Sequence, residues 1–125
     1  MKSLIAKLEQ ASEGNRGLDE EIARSQGWDY YRGESSTPSG ITRQWATWRD
    51  ADLNDVELPH YTTSLDAKLP WENIVEVRAP RWNNTKPDRW EAVQRRGEPG
   101  DCVYFYGAGH TEVLARRGAS LKARA

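Results

Sequence analysis

The chain reads RWEAVQRRGEPGDCVYFY from Arg89 to Tyr106. Residues 89 to 95, at the start of this stretch, tend to alternate apolar and polar side chains. Residues 101 to 106, at its end, are rich in aromatic residues. Both patterns are typical of strands. Between them, residues 97 to 100 are turn formers, and the connection is too short for the crossover helix that parallel strands need. The stretch therefore predicts two antiparallel strands joined by a tight turn.

Working outward, two further segments have the composition of strands. Residues 73 to 78 alternate around Val75 and Val77, which predicts a third strand of the same antiparallel meander. Residues 41 to 48 are rich in strand formers and predict a fourth strand. The turn-forming residues from 28 to 40, from 49 to 55 and from 83 to 87 predict loops.

Helices are predicted at both ends of the chain. Leu4, Ile5, Leu8 and Ala11 recur on one helical face, with Ser3 as the expected N-cap and Gly14 at the end. A second helix covers residues 18 to 23 and ends near Gly27. A last helix is expected from Glu112 to Leu121, capped by Thr111.

A short middle helix is also predicted. Thr63 and Asp66 have the spacing of a capping box, in which each side chain binds the other residue's amide group. The helix would continue through Ala67 and Leu69 and stop at Pro70, because proline cannot extend the hydrogen-bond ladder. Together these elements predict a single α+β domain over residues 1 to 125, with an antiparallel sheet of about four strands.

Composition constrains the compartment and the partners. The formal net charge is −1, but residues 1 to 66 carry seven Lys and Arg against twelve Asp and Glu, whereas residues 67 to 125 carry eleven against seven. This asymmetry indicates either a basic binding face or two halves with complementary fields. A single cysteine, two histidines and no long apolar run lead us to expect a cytoplasmic protein with no disulfide, structural zinc site or membrane span.

Several segments resemble one family. Leu4-Ile-Ala-Lys-Leu-Glu-Gln-Ala11, Arg16-Gly-Leu-Asp-Glu-Glu-Ile-Ala23, Pro59-His-Tyr-Thr-Thr-Ser-Leu-Asp-Ala67 and a C-terminal helix after Gly109-His110 resemble small prophage-encoded proteins of the phage ABA sandwich domain family. The structural motif consists of Tyr61, Thr63, Asp66, Gly109 and His110. The resemblance implies a three-layer α/β/α sandwich, with helices on both faces of the sheet, and carriage on phage or prophage genomes. It implies no activity and no cofactor.

The candidate binding surface predicted from the sequence is Arg81, Trp82, Arg89, Trp90 and Arg95. Aromatic platforms and cations together bind single-stranded nucleic acid, so a nucleic-acid-binding module is one hypothesis. Trp, Tyr and Arg are equally typical of protein interfaces, and six tryptophans are difficult to bury completely in so small a chain. The structural alternative is that helices cover both faces of the sheet and bury most of these tryptophans.

Catalytic candidates are few. Cys102 and His110 could act as nucleophile and base, and Gly107, Gly109 and His110 could cradle a phosphate at a helix start. A buried strand cysteine and a tight strand-to-helix turn explain the same residues without chemistry. We therefore expect a non-catalytic accessory protein that binds a protein partner or itself, with nucleic-acid binding as the first alternative and catalysis by Cys102 and His110 as the second.

Overall fold

The computed structural model describes residues 2–80, 89–98 and 100–124. Three helices are present in these ranges: α1 (Lys2–Gln10), α2 (Arg16–Ser25) and α3 (Glu112–Arg124). Six strands accompany them: β1 (Asp29–Ser36), β2 (Thr42–Arg49), β3 (Asp55–Val56), β4 (Ile74–Arg78), β5 (Trp90–Glu98) and β6 (Asp101–Gly109). None of the described helices is long and apolar enough to cross a membrane.

The strands form two antiparallel sheets, ordered β1-β2-β3 and β4-β5-β6. The predicted α+β class and the predicted meander of β4, β5 and β6 are confirmed. The single four-stranded sheet is not found, because β2 pairs with β1 and β3 and not with the meander. Helix α3 covers one face of the second sheet, whereas Tyr104 and Tyr106 are exposed on the other face. Within the described ranges the architecture therefore differs from a sheet enclosed by helices on both sides.

One apolar cluster connects the helices to the first sheet. Leu8, Ile22, Leu114 and Leu121 are completely buried, so all three helices contribute their apolar faces to it. Trp48 of β2 joins the same cluster. The helical periodicity of the N-terminal residues predicted this burial, because residues three or four apart lie on one face of a helix.

Glycines allow α3 to lie very close to the second sheet. A Cβ atom on Gly107 would lie 2.2 Å from the carbonyl oxygen of Ala115 and 2.3 Å from the amide nitrogen of Ala119. On Gly109 it would lie 2.9 Å from Cβ of Leu114. These glycines, predicted to form a tight strand-to-helix turn, instead lie within β6 and permit close helix packing.

The helix ends differ from prediction in three details. Ser3 lies inside α1 and does not cap it. Gly14 lies beyond the end of α1, at a close approach where a Cβ atom would be 2.0 Å from the carbonyl oxygen of Thr62. The N-cap of α2 is Asn15, whose side chain accepts a hydrogen bond from the Leu18 amide at 2.8 Å. At the other end, Gly27 has the left-handed φ of +87° expected of a closing residue.

Two predicted segments have different secondary structure. The capping-box helix is wrong: residues 61 to 70 form turns, and the Asp66 amide donates to Oγ of Ser64. The predicted loop from 28 to 40 is also wrong, because most of it is β1. The predicted loop at 83–87 lies outside the described residues.

The cap of α3 is confirmed, since the Leu114 amide donates to Oγ1 of Thr111 at 3.2 Å.

Candidate binding surface

Strands β1 and β2 form a long hairpin, here called the hairpin arm (residues 29–49). Eight residue pairs, from Asp29 opposite Arg49 to Ser36 opposite Thr42, hold it together. Every residue from 32 to 46 is exposed, except for the half-buried Gly33 and Thr37. Only the base of the arm is anchored, chiefly by Trp48, which is buried in the main cluster. The outer arm therefore presents both faces to solvent.

One face of the arm carries an indole laid across a glycine. The ring of Trp45 lies over its cross-strand partner Gly33, so close that a Cβ atom on Gly33 would be 2.3 Å from Cζ2 of Trp45. The Arg49 guanidinium lies 5.5 Å from the Trp45 ring centroid and 5.0 Å from that of Tyr31. Trp45 nevertheless remains 40% exposed. This face therefore offers a large aromatic surface held in a fixed position.

The other face carries a second aromatic pair. The ring centroids of Tyr30 and Trp48 are 5.5 Å apart. Arg32 lies over Tyr30 and Arg24 lies over Trp48, at 5.4 and 5.2 Å from the ring centroids. Cations over aromatic faces are attracted by the ring quadrupole, which restricts the side chains that a partner would meet.

A groove runs beside this second face. It has a volume of about 690 Å³ and separates the base of the arm from the segment between Val56 and His60. Leu58 and Pro59 supply apolar floor, and Arg16 and His60 supply polar edges. An apolar floor with a few polar groups at its edges is typical of binding clefts.

The arm itself carries three arginines against two carboxylates, a net charge of +1. The segment that follows it, from residue 50 to residue 56, adds three carboxylates and no cation, so residues 29 to 56 together have a net charge of −2. One of the arginines, Arg49, also forms an ion pair with Asp55 at 3.1 Å. Phosphate backbones are bound by unpaired cations, so these residues are better suited to a protein surface.

The surface predicted from the sequence is only partly described. Arg81 and Trp82 lie outside the described residues. Trp90 is half-buried and packs against the alanine cluster where α3 meets β5, and Arg89 donates to the carbonyl oxygen of Glu9. Arg95 and Trp90 are five positions apart on β5, so their side chains point to opposite faces of the sheet. The described members thus do not share one face, and their binding role stays a prediction.

The five motif residues fall at two places. Tyr61 is buried, its hydroxyl accepts from Nε2 of Gln26 at 3.0 Å, and burial raises the pKa of the phenol. Thr63 and Asp66 are exposed in the turns that follow. Gly109 ends β6 and the half-buried His110 follows it, immediately before α3.

Cys102 and His110 are not brought together. Cys102 is the second residue of β6 and His110 follows the last, a separation of roughly 26 Å for eight residues of extended strand. Such a distance excludes direct proton transfer between them. Among the described residues, no group of three or more His, Cys, Asp or Glu side chains is placed to hold a metal ion.

Sequence reasoning missed a buried arginine that organises the turns. The Arg117 guanidinium donates to the carbonyl oxygens of Tyr61, Ser64 and Leu65 and to both carboxylate oxygens of Glu72. Burial lowers its pKa, although the carboxylate of Glu72 opposes that shift. A charged residue on the apolar side of α3 was the available signal, because an arginine is rarely buried without a partner.

Asp19 ties the same segment to α2. Its completely buried carboxylate accepts from the Thr62 amide at 2.8 Å and from the Thr62 hydroxyl at 2.6 Å, and Arg16 pairs with its other oxygen. Arg16 of the same helix also donates to the carbonyl oxygens of Leu58 and Pro59, which line the groove opposite the hairpin arm.

A scan of protein families matches none of them to this chain, and searches of curated proteins and of solved structures also find no match. The candidate surface is defined by its own geometry and chemistry.

Proposed function

We propose that this chain is a non-catalytic accessory protein that binds a protein partner or a second copy of itself through the hairpin arm and the adjacent groove. The observation that carries the proposal is the exposure of residues 32 to 46 on a hairpin with little contact to the core. A two-stranded ribbon is only marginally stable by itself. The core does not use the aromatic and arginine side chains of the outer arm, so they are available as contact area for a partner.

The composition of the arm supports a protein partner over nucleic acid. Tyr, Trp and Arg are the residue types most enriched at binding hot spots, and the arm presents Trp45 on one face and Tyr30 with Arg32 on the other. The arm's net charge of +1 gives only weak attraction to a phosphate backbone, and the three carboxylates between residues 50 and 55 oppose it. Open edges on β1 and on outer β2 also allow another strand to pair with the arm.

The family resemblance supports a phage or prophage setting. The segments that carry it, namely α1, α2, residues 59 to 67 and α3, all contribute side chains to the main apolar cluster. The outer arm lies outside those segments. We infer that the helical core is what this chain has in common with the family and that the arm supplies the specificity for a partner.

Site-specific photo-crosslinking tests the proposal. A photoreactive benzoylphenylalanine placed at Ala46, which is exposed beside the groove, should yield one discrete crosslinked species in native host cells. The matched control is the same group at Val103, which is also exposed but lies on β6. Mass spectrometry distinguishes a self-crosslink from a crosslink to another protein. The same products from both positions, or none from Ala46, would contradict the proposal.

A further inference from the structure

The outer edge of β2 is paired with another strand over only part of its length. Its ladder with β3 consists of two residue pairs, Trp48 with Val56 and Arg49 with Asp55. Residues 42 to 47 of β2 continue beyond the ladder, and within the described ranges no strand pairs with them on this side. An unpaired strand edge is a template on which another strand can bind.

Two hydrogen bonds show which backbone groups of β2 face this edge. The Asp50 amide donates to the Asn54 carbonyl oxygen at 3.1 Å on the β3 side, whereas the Thr37 amide donates to the Ile41 carbonyl oxygen at 2.9 Å within the arm. In an antiparallel ladder, the backbone groups of successive residues point to alternate sides. Counting from either bond gives the same result, because even-numbered residues of β2 point outward and odd-numbered residues point to β1. The N–H and C=O groups of Ala46 therefore face the outer edge.

Arg16 and Pro59 explain why β3 ends so early. The next outward-facing pair would join Ala46 to Leu58, but the Leu58 carbonyl oxygen accepts from the Arg16 guanidinium at 2.8 Å. The same guanidinium donates to the Pro59 carbonyl oxygen at 3.2 Å, and proline has no amide hydrogen to donate to β2. Residues 57 to 60 line the groove of about 690 Å³ on one side, and Ala46 lines it on the other. The groove thus lies beside unpaired backbone groups of β2.

The side chains on the two faces of β2 indicate which kind of strand this edge can accept. A residue paired with Ala46 would lie on the face of Tyr30 and Trp48, above the apolar floor of the groove. The small side chain of Ala46 leaves space there for a larger apolar one. The residues before and after it in the added strand would lie on the opposite face, beside the 40% exposed Trp45.

We propose that the outer edge of β2 binds an extended segment of another protein, which pairs with the backbone of Gln44 and Ala46 and places an apolar side chain in the groove. This inference rests on the proposed binding role of the arm and specifies the edge that is used and the form of the partner. Backbone pairing at a sheet edge supplies affinity, and pockets for alternate side chains supply specificity. The groove has a wall on each side, which favours one extended segment over the arm of a second copy, because that arm is two strands wide.

Photo-crosslinking of two proline variants separates strand pairing from binding in general. With benzoylphenylalanine at Glu57, Ala46→Pro should lower the crosslink yield in native host cells by about tenfold or more, because it removes the outward N–H and its ring obstructs a pairing strand. Proline is accepted on an edge strand where its nitrogen faces solvent, so the variant should fold. Ser36→Pro is the matched control, since it places the same ring on the outer edge of β1 and should crosslink as the wild type does.

The other outcomes separate this inference from the proposed function. Undiminished crosslinking of Ala46→Pro, or an equal loss in both variants, would overturn strand pairing but leave the binding role of the arm and groove intact. A crosslink between two copies of the chain would overturn the assignment to another protein. No crosslinked species from the wild type would contradict the proposed function itself.

Nuclear magnetic resonance with a peptide probe tests the edge in the unaltered protein. A capped hexapeptide of alternating threonine and valine should shift the Ala46 amide signal and slow its hydrogen exchange, while the Arg32 amide, on the outer edge of β1, stays unchanged. A copy of the peptide methylated at every backbone nitrogen keeps the side chains but cannot donate hydrogen bonds, so it should bind about tenfold more weakly or worse. An unmoved Ala46 signal at millimolar peptide, or equal binding of the two peptides, would overturn the proposal.

Discussion

Arg117 of α3 donates to both carboxylate oxygens of Glu72, at 2.9 and 2.8 Å, and both side chains are almost completely buried. The same guanidinium also holds the turns that follow Tyr61. Glu72 in turn accepts from the Ser120 hydroxyl at 3.1 Å. In a helix, backbone amides would donate to the carbonyl groups of this segment. Here the Arg117 guanidinium donates instead to those of Tyr61, Ser64 and Leu65.

Removing the arginine should be strongly destabilising. Arg117→Met leaves the Glu72 carboxylate buried without its cation, which costs about 3–5 kcal/mol of unfolding free energy. Urea denaturation measures the change. Lys7→Met is the matched control, because it breaks an exposed ion pair with Glu21 and should cost less than about 1 kcal/mol. Similar losses in the two variants would show that the buried pair has no special structural role.

The first helices and the meander could be predicted because their signals are local. Leu4, Leu8 and Ile22 follow helical spacing. Only two residues separate β5 from β6, with Gly97 near the end of β5 at a φ of +103° and Gly100 just before β6 at +93°. For these elements, the residues that determine the structure lie within the segment itself.

The misses depend on contacts between distant residues. The turn formers of β1 are accepted in a strand because Trp45 covers Gly33 from the neighbouring strand. The capping box at Thr63 fails because Arg117, more than fifty residues later, binds the carbonyl groups there. The sequence therefore predicts a loop over residues 28 to 40 and no binding site on a hairpin.

Two glycines that face each other should respond in opposite ways to alanine. Gly107→Ala places a methyl group against the backbone of Ala115 and Ala119, which cannot move without shifting α3, and should cost about 1–3 kcal/mol or more. Gly118→Ala meets nothing closer than 4.0 Å and lies inside a helix, so it should stabilise by up to about 1 kcal/mol. Thermal unfolding compares the pair. A stable Gly107→Ala protein would contradict the close packing of α3 on β6.

Gly33→Ala should displace an indole without unfolding the domain. The new methyl group collides with the Trp45 ring, which can rotate into solvent because the arm is exposed. With fluorotryptophan labelling, the Trp45 resonance should move toward its solvent-exposed position, while stability changes by less than about 1 kcal/mol. Ser35→Ala, on the same face two residues away, should leave the resonance in place. An unmoved signal in Gly33→Ala would show that the ring does not lie across the glycine.

Stability should fall at alkaline pH partly through Tyr61. Burial raises the pKa of this phenol in the folded protein, so the folded state holds its proton more tightly than the unfolded state. The stabilising contribution is complete below the unfolded value of about 10 and is lost as the pH rises from there through the folded pKa. Tyr61→Phe should therefore show a shallower loss of stability above pH 10 in denaturant titrations.

Gln26→Leu is the control for that measurement. It removes the same hydrogen bond to the Tyr61 hydroxyl but keeps the ionisable phenol. Its alkaline loss should be at least as steep as that of the wild type, because the Gln26 bond lowers the pKa of Tyr61. Identical slopes for Tyr61→Phe and the wild type would contradict the assignment.

The central claim is that the outer hairpin arm serves binding and not folding. Replacing residues 32 to 46 by an Asn-Gly turn keeps Tyr31 opposite Thr47 and leaves Trp48 in the core. The decisive measurement compares the shortened and full-length proteins, each with benzoylphenylalanine at Glu57, an exposed groove residue that both retain, by quantitative crosslinking in native host cells, with denaturation as the folding check. We predict a folded protein within about 1 kcal/mol of wild-type stability that no longer forms the wild-type crosslinked species. A shortened protein that unfolds, or one that is crosslinked as before, would contradict the claim.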